Sequence, residues 1–147
     1  IKNYARLNGR PYIIRYYGTS RLPDKGNYII VMKYASSGNL ENFLDKNTGL
    51  KSTEKLKILL HIAEGLEDIH NEKMWHGDFH SKNIVFDGQT PYICDLGCSC
   101  SATSSTTYTV GIVPYVAPEI LSRGRGKYSK EADVYSFWNH YVSYYFW

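Results

Sequence analysis

The sequence predicts an α+β fold in which strands and helices occupy separate stretches of chain. Three observations lead there. Two β-rich runs come first, over residues 12–17 and 28–34, with the tyrosine and β-branched content that favours extended chain. A helical apolar period then runs from about Thr53 to His70. Finally, Asp87-Gly88 stands between two more β-prone runs and marks a hairpin. The resulting order is strands, helices, hairpin, long polar loop and last helix. It shows no βαβ alternation, internal repeat or domain linker, and the length of 147 residues suits one domain.

Each element has its own local reason. The opening strands are separated by a turn-rich stretch, Leu22-Pro23-Asp24-Lys25-Gly26-Asn27. Ala35-Ser36-Ser37-Gly38 ends the second strand, and Leu40, Phe43 and Leu44 then recur at helical spacing, so a short helix is expected from about Asn39. In the long helix, Leu56, Leu59, Leu60, Ala63 and Leu66 are expected to form the buried face, with Lys55, Lys57, Glu64 and Asp68 largely off it. Ser52 or Thr53 is the expected N-cap, and Glu54 suits the positive end of the helix dipole. A hydroxyl-rich loop follows from Ser99 to Thr109, and a last helix after Ser129 carries Ala132, Val134, Phe137 and Trp138.

A net charge of +3 gives no argument for a nucleic acid or membrane partner, and no run is long and apolar enough to span a bilayer. The three cysteines, Cys94, Cys98 and Cys100, fit neither a disulfide framework nor a four-ligand zinc site. They are expected to be reduced thiols of a cytoplasmic protein. The chain begins Ile1-Lys2-Asn3-Tyr4, without a Met or a secretion-signal layout, so the true N-terminus is expected upstream.

Chemistry concentrates in His76-Gly77-Asp78-Phe79-His80-Ser81-Lys82-Asn83, between the long helix and the hairpin. It offers a carboxylate and a carboxamide in one loop. Phosphoryl transfer from ATP needs a carboxylate to orient the attacking hydroxyl and other oxygens to hold Mg²⁺ against the phosphates. Asp78 suits the first task and Asn83 part of the second. Asp95 adds a charged Mg²⁺ ligand just past the hairpin, and Gly97 lets the backbone turn after it.

These residues resemble the eukaryotic protein kinase domain. His76-x-Asp78 with Asn83 matches its catalytic loop, Asp95-Leu96-Gly97 its metal-binding triplet, and Ala117-Pro118-Glu119 the end of its activation segment. Val31-Met32-Lys33-Tyr34 resembles the strand entering the hinge, Gly38-x-Leu40 the helix after it, and Asp133-Val134-Tyr135-Ser136-Phe137 the start of the central helix. Gly38-Asn39-Leu40 and the run from Pro114 to Glu119 look most like the tyrosine-kinase-like group. The resemblance implies the end of a small β-rich lobe over residues 1–34 and a partial, mainly helical large lobe over 35–147. It also implies roles. Asp78 would be the catalytic base, and Asn83 and Asp95 would hold Mg²⁺. Lys33, Tyr34 and Ala35 would offer backbone groups to the adenine of ATP, Met32 would guard the back of that site, and Val85 would form its floor. Asp133 would anchor the catalytic loop. His80 stands where Ser/Thr kinases carry a Lys facing the transferring phosphate, and a protonated His could partly replace it.

Some departures from the family pattern matter. Gly77 replaces the Arg that pairs with an activation-loop phosphate, so phosphorylation of Ser104, Ser105, Thr106, Thr107 or Tyr108 is not expected to be a strict on-switch. No Gly-rich phosphate loop or Val-Ala-x-Lys segment precedes the first strand, and residues 1–10 have room only for the tail of the helix that follows them in kinases. After Phe137 the family pattern gives way to an aromatic tract. The resemblance pairs Glu119 with an Arg of a later segment, without which a buried Glu would be left unpaired at a cost of roughly 3–5 kcal/mol. The expectation is therefore a kinase fragment, inactive alone, whose parent phosphorylates protein Ser/Thr (or Tyr) hydroxyls in signalling. Ile112, where many Ser/Thr kinases have Thr, leaves that choice open. Two other readings are carried forward: a catalytically inactive kinase-like binding or regulatory module, and a metal hydrolase using His76 and His80.

Overall fold

The computed structural model describes residues 2–22, 27–97, 100–101, 116–122 and 128–145, with 100–101, 122 and 140–145 described by their backbone alone. Helix α1 (Lys2–Leu7) opens the chain. Strands β1 (Tyr16–Arg21) and β2 (Tyr28–Met32) form an antiparallel ribbon whose side chains are mostly exposed. Next come β3 (Gly38–Asn39), α2 (Leu40–Lys46), the long α3 (Ser52–Asn71) and β4 (Met74–Trp75). A 3-10 turn, Ser81–Asn83, leads into the hairpin of β5 (Ile84–Asp87) and β6 (Thr90–Ile93). β7 (Cys100–Ser101), α4 (Pro118–Ser122) and α5 (Lys130–Tyr145) complete the described chain.

The core lies where α3 meets the β3-β5-β6 sheet. Ile58, Ile62, Leu66 and Ile69 of α3 are buried with Ile84, Phe86 and Ile93 of the hairpin and with Leu40 and Phe43 of α2. The Phe43 and Phe86 rings stack with centroids 4.0 Å apart. Tyr4 and Leu7 of α1 enter the same core, with Ile13 and Ile14. Outside it, Arg6 and Arg10 pair with Asp68 and Glu72 at 3.1–3.2 Å, tying α1 to the end of α3. These pairs are partly exposed and contribute little stability individually; burial decides where α1 sits.

Several local expectations shift. The first strand begins at Tyr16, not Tyr12. Ile13 and Ile14 are both buried, and main-chain bonds Ile14 N–H to Ile93 O (2.9 Å) and Ile93 N–H to Tyr12 O (2.8 Å) hold this stretch against β6 instead of β2. The inward stripe of α3 is rotated from the leucine face: Leu56 and Leu60 are 49% and 57% exposed, while Ile58, Ile62, Gly65, Leu66 and Ile69 are buried. Both stripes have helical spacing, and the position of β6 selects the isoleucine one. The α3 N-cap is Lys51, not Ser52 or Thr53; the Glu54 carboxylate accepts the Lys51 N–H at 2.8 Å, as the acidic partner of a capping box does. The hairpin turn is Gly88-Gln89, with Asp87 opposite Thr90 as the last pair.

Gly65 permits the crossing of α3 by residues 12–14. A Cβ there would lie 3.1 Å from the Tyr12 carbonyl oxygen and 3.0 Å from Ile93 Cδ1. The final helix forms as expected and continues through the aromatic tract to Tyr145. Ala132 is buried and Phe137 packs against the core, but Val134 and Trp138 are 52% and 57% exposed. Glu119 is exposed in α4, so the expected burial cost does not arise. Among the described residues no helix is long and apolar enough to cross a membrane. Cys98, Ser104, Ser105, Thr106, Thr107, Tyr108 and Ile112 lie outside the described residues.

Candidate active site

The loop after β4 is built around one buried carboxylate. Asp133 of α5 is 1% exposed. Its Oδ2 accepts the His76 backbone N–H at 2.8 Å and lies 2.9 Å from His70 Nε2, while its Oδ1 accepts the Gly77 N–H at 3.0 Å. Two main-chain donors that would otherwise be buried and unsatisfied are thereby paired. Gly77 has φ +79°, a conformation that any side chain would strain.

The turn brings Asp78, His80 and Asn83 together. The Asn83 amide Nδ2 donates to the Asp78 carbonyl at 2.8 Å, to Asp78 Oδ2 at 3.5 Å and to His80 Nε2 at 3.2 Å. His80 Nε2 also lies 3.5 Å from Asp78 Oδ2. The side chain of Asp78 keeps 16% exposure, so its carboxylate reaches solvent while held from behind. His80 Nδ1 is buried and has no hydrogen-bond partner among the described residues.

Asp95 is carried to the same place by the hairpin. The Cys94 N–H donates to the Asn83 carbonyl at 2.9 Å, and the Cys94 carbonyl bonds His76 Nε2 at 2.9 Å. The His76 ring also accepts the Asp78 N–H on Nδ1 at 3.3 Å. A ring that donates from Nε2 and accepts on Nδ1 is neutral. Complete burial favours that state and lowers the His76 pKa from its ordinary value, against the opposing pull of Asp133, Asp78 and Asp95. Both ring nitrogens are thus committed, which removes His76 as a metal ligand and with it the hydrolase reading. Trp75 is a packing residue, its ring edge-on to His70 at 6.2 Å.

Asp95 is exposed and sits at φ +56°, accepting the Gly97 N–H at 3.3 Å. The neighbouring Leu96 is clamped by α1: its N–H donates to the Tyr4 hydroxyl at 2.9 Å, and its carbonyl accepts from Asn3 Nδ2 at 3.2 Å. Burial is the main cause that raises the Tyr4 pKa. Sequence reasoning missed this pair, since nothing local relates Asn3 and Tyr4 to a leucine more than ninety positions away. Cys94, beneath this segment, has its thiol pushed up to about 12 by burial and then by Asp95.

The hinge residues follow β2. The Lys33 N–H is already donated to the Arg15 carbonyl at 2.8 Å, so its own carbonyl is the group left for a ligand. The Lys33 side chain instead reaches Asp87 Oδ2 at 3.0 Å and the Tyr92 hydroxyl at 3.1 Å. Those two bonds raise its pKa, and the same pairing lowers that of Asp87. Tyr34 is 84% exposed, Ala35 and Val85 are half-buried, and Met32 packs against the core.

The oxygens suit a hard cation. With its Nδ2 committed to Asp78 and His80, Asn83 presents Oδ1 as its remaining group, and the exposed Asp95 carboxylate follows the residue bonded to the Asn83 main chain. One carboxylate, one amide oxygen and phosphate oxygens make a set that Mg²⁺ accepts. Among the described residues no group of three His, Cys, Asp or Glu side chains forms a metal cluster by itself.

A β-rich segment leading into a helical body, with a catalytic-type loop and a metal-type aspartate at their junction, defines a phosphotransferase-like α+β domain. The comparison with known families is specific: the protein kinase domain matches residues 1–138, and the chain belongs to that family. Similar relatives span its specificities. The chain is 36% identical to the mouse megakaryocyte-associated tyrosine-protein kinase over 111 residues, covering 74% of this chain and 22% of that protein. It is 30% identical to the Arabidopsis thaliana serine/threonine/tyrosine-protein kinase HT1 over 132 residues, covering 86% and 33%. It is 32% identical to the human dual specificity testis-specific protein kinase 2 over 136 residues, covering 86% and 23%. The chain therefore spans between about a fifth and a third of the length of these relatives.

Proposed function

We propose that this domain is the part of a protein kinase that holds the reacting groups, moving the γ-phosphate of ATP to a protein hydroxyl. The observation that carries the reading is the convergence on Asn83. Its Nδ2 holds Asp78 through main chain and side chain, and its carbonyl holds the residue before Asp95. Asp78 orients the substrate hydroxyl and accepts its proton as the new O–P bond forms. Asn83 and Asp95 hold Mg²⁺, which neutralises charge on the phosphates. Lys33, Tyr34 and Ala35 border the adenine with their backbone, and Val85 lies beneath it. His80 donates toward the transferring phosphate. When neutral, with Nε2 accepting from Asn83, it carries its proton on Nδ1, which is buried and has no hydrogen-bond partner among the described residues.

The test has two stages. Thermal stability of the chain is measured with ATP, with and without Mg²⁺, for the native sequence and for Asp95→Asn. Stabilisation that needs Mg²⁺ and is lost in Asp95→Asn supports the reading; nucleotide binding that ignores both counts against it. Phosphate transfer by the full-length protein, abolished by Asp78→Asn, then separates an enzyme from an inactive regulatory module. The intact set Asp78, Asn83 and Asp95 favours the enzyme, because a purely binding module has no chemical use for all three.

A further inference from the structure

A second cleft, of about 470 Å³, opens between the α1–β1 connection, β1, the end of β2 and β6. Every charged residue lining it is a cation: Arg10, Arg15 and Lys33. The remaining polar lining leans the same way. The Tyr92 hydroxyl accepts from Lys33, which leaves its own proton to donate. The Asn8 Oδ1 accepts the Tyr16 N–H at 3.1 Å, which leaves its amide N–H groups. Arg15 is exposed, lies 5.8 Å from the centre of the Tyr17 ring, and has no acidic partner among the described residues. The nearby carboxylates stand outside the cleft. Asp87 pairs with Lys33, Asp68 and Glu72 pair with Arg10, and none of the three lines the cleft. Such partly exposed pairs are weak and leave donors to share, since a guanidinium carries five N–H groups.

A cleft that offers donors and cations and no lining carboxylate is complementary to an anion. Its volume falls in the range of organic ligands, well above what one inorganic ion fills. Ile13 at its base and the Tyr17 and Tyr92 rings give it apolar wall as well. We infer that this cleft binds a phosphorylated side chain of a peptide, with Arg15 and Lys33 on the phosphate and the rings along the stem. A phosphate dianion accepts bidentately from Arg as a carboxylate does, and it brings more charge and a third acceptor oxygen for Lys33. The inference uses none of the residues assigned to phosphoryl transfer except Lys33, whose side chain has no part in that assignment, so it stands or falls separately from it.

The experiment is fluorescence polarisation with the chain and three labelled peptides of one sequence, carrying phosphotyrosine, phosphoserine or no phosphate. Either phosphopeptide is expected to bind at least about tenfold more tightly than the unmodified peptide. Arg15→Ala is expected to lose most of that difference. Arg21→Ala is the control: Arg21 is another exposed arginine over a tyrosine, at the end of β1, 5.9 Å from the Tyr28 ring centre, and does not line the cleft. Circular dichroism of both variants checks that the fold is retained. Equal binding of phosphorylated and unmodified peptides overturns the inference. So do equal losses in the two arginine variants, which mean diffuse charge attraction. Competition by inorganic phosphate as effective as by the phosphopeptide also overturns it, as does tighter binding to vesicles containing phosphoinositide, which moves the cleft to a lipid headgroup.

Discussion

Replacing Asp133 by Asn probes the joint between the central helix and the reacting loop. The substitution keeps shape and removes charge. In the native side chain one oxygen accepts from His76 N–H and faces His70, and the other accepts from Gly77 N–H. Asn has one accepting oxygen, so whichever way it turns, its NH₂ confronts a buried backbone donor. Leaving that donor unsatisfied costs about 1–3 kcal/mol, and the remaining bonds lose charge assistance worth roughly 1 kcal/mol each. The sum is about 3–5 kcal/mol, in line with removal of one partner from a buried charged set. Against a domain stability of roughly 5–15 kcal/mol this is a large fraction. Urea unfolding followed by tryptophan fluorescence measures it, with Trp75 edge-on to His70 as a local reporter. Hydrogen exchange of the His76 and Gly77 amides measures the cause. The exposed change Glu67→Gln on α3 serves as control and is expected within about 0.5 kcal/mol of native. A loss below about 1 kcal/mol in Asp133→Asn, with both amides still protected, would refute the claim that this carboxylate organises the loop.

Three further expectations follow from the same packing. Gly65→Ala should destabilise by roughly 1–3 kcal/mol, although alanine ordinarily favours helix by about 1 kcal/mol over glycine; the new methyl meets the Tyr12 carbonyl, itself fixed by Ile93 N–H, and a higher melting temperature would contradict this. Below about pH 6.5 the unfolded chain takes up a proton that buried His76 refuses, because the folded pKa is lowered. The stability associated with neutral His76 is therefore full above that pH and falls as pH drops toward the folded pKa, by at most about 1.4 kcal/mol per pH unit. Urea midpoints at a series of pH values should show a shallower decline in His76→Gln. Cys94, its thiol pushed up to about 12, should resist iodoacetamide at pH 8 until the chain unfolds, as read by peptide mass spectrometry; rapid alkylation in the native state would show that the segment before Asp95 is open.

Much of the site was legible because it is local. Asp78, His80 and Asn83 lie within one turn of loop, and the hairpin that delivers Asp95 is announced by Asp87-Gly88. The long helix was legible too, since amphipathic spacing survives without knowledge of neighbours. Which stripe of that helix turns inward was not. Leucine and isoleucine stripes share the same period, and the choice belongs to β6, which places Ile58, Ile62 and Ile69 beneath the sheet and leaves Leu56 and Leu60 in water. The first strand was misplaced for a related reason: Tyr12 to Ile14 is β-prone, but burial and two main-chain bonds draw it to Ile93, and the ribbon starts only at Tyr16.

Taken alone, the amino-acid order determined the type of most elements, the α+β class and the residues proposed for phosphoryl transfer, because periodicity, turn residues and side-chain chemistry are properties of short stretches. Tertiary structure alone decided the partners. The clamp of Asn3 and Tyr4 on Leu96, the seat of the reacting loop on Asp133, the neutral His76 and the cationic cleft beside Lys33 all join residues distant in sequence. Such pairings form only when burial of the shared core brings the segments together, and no local pattern records them.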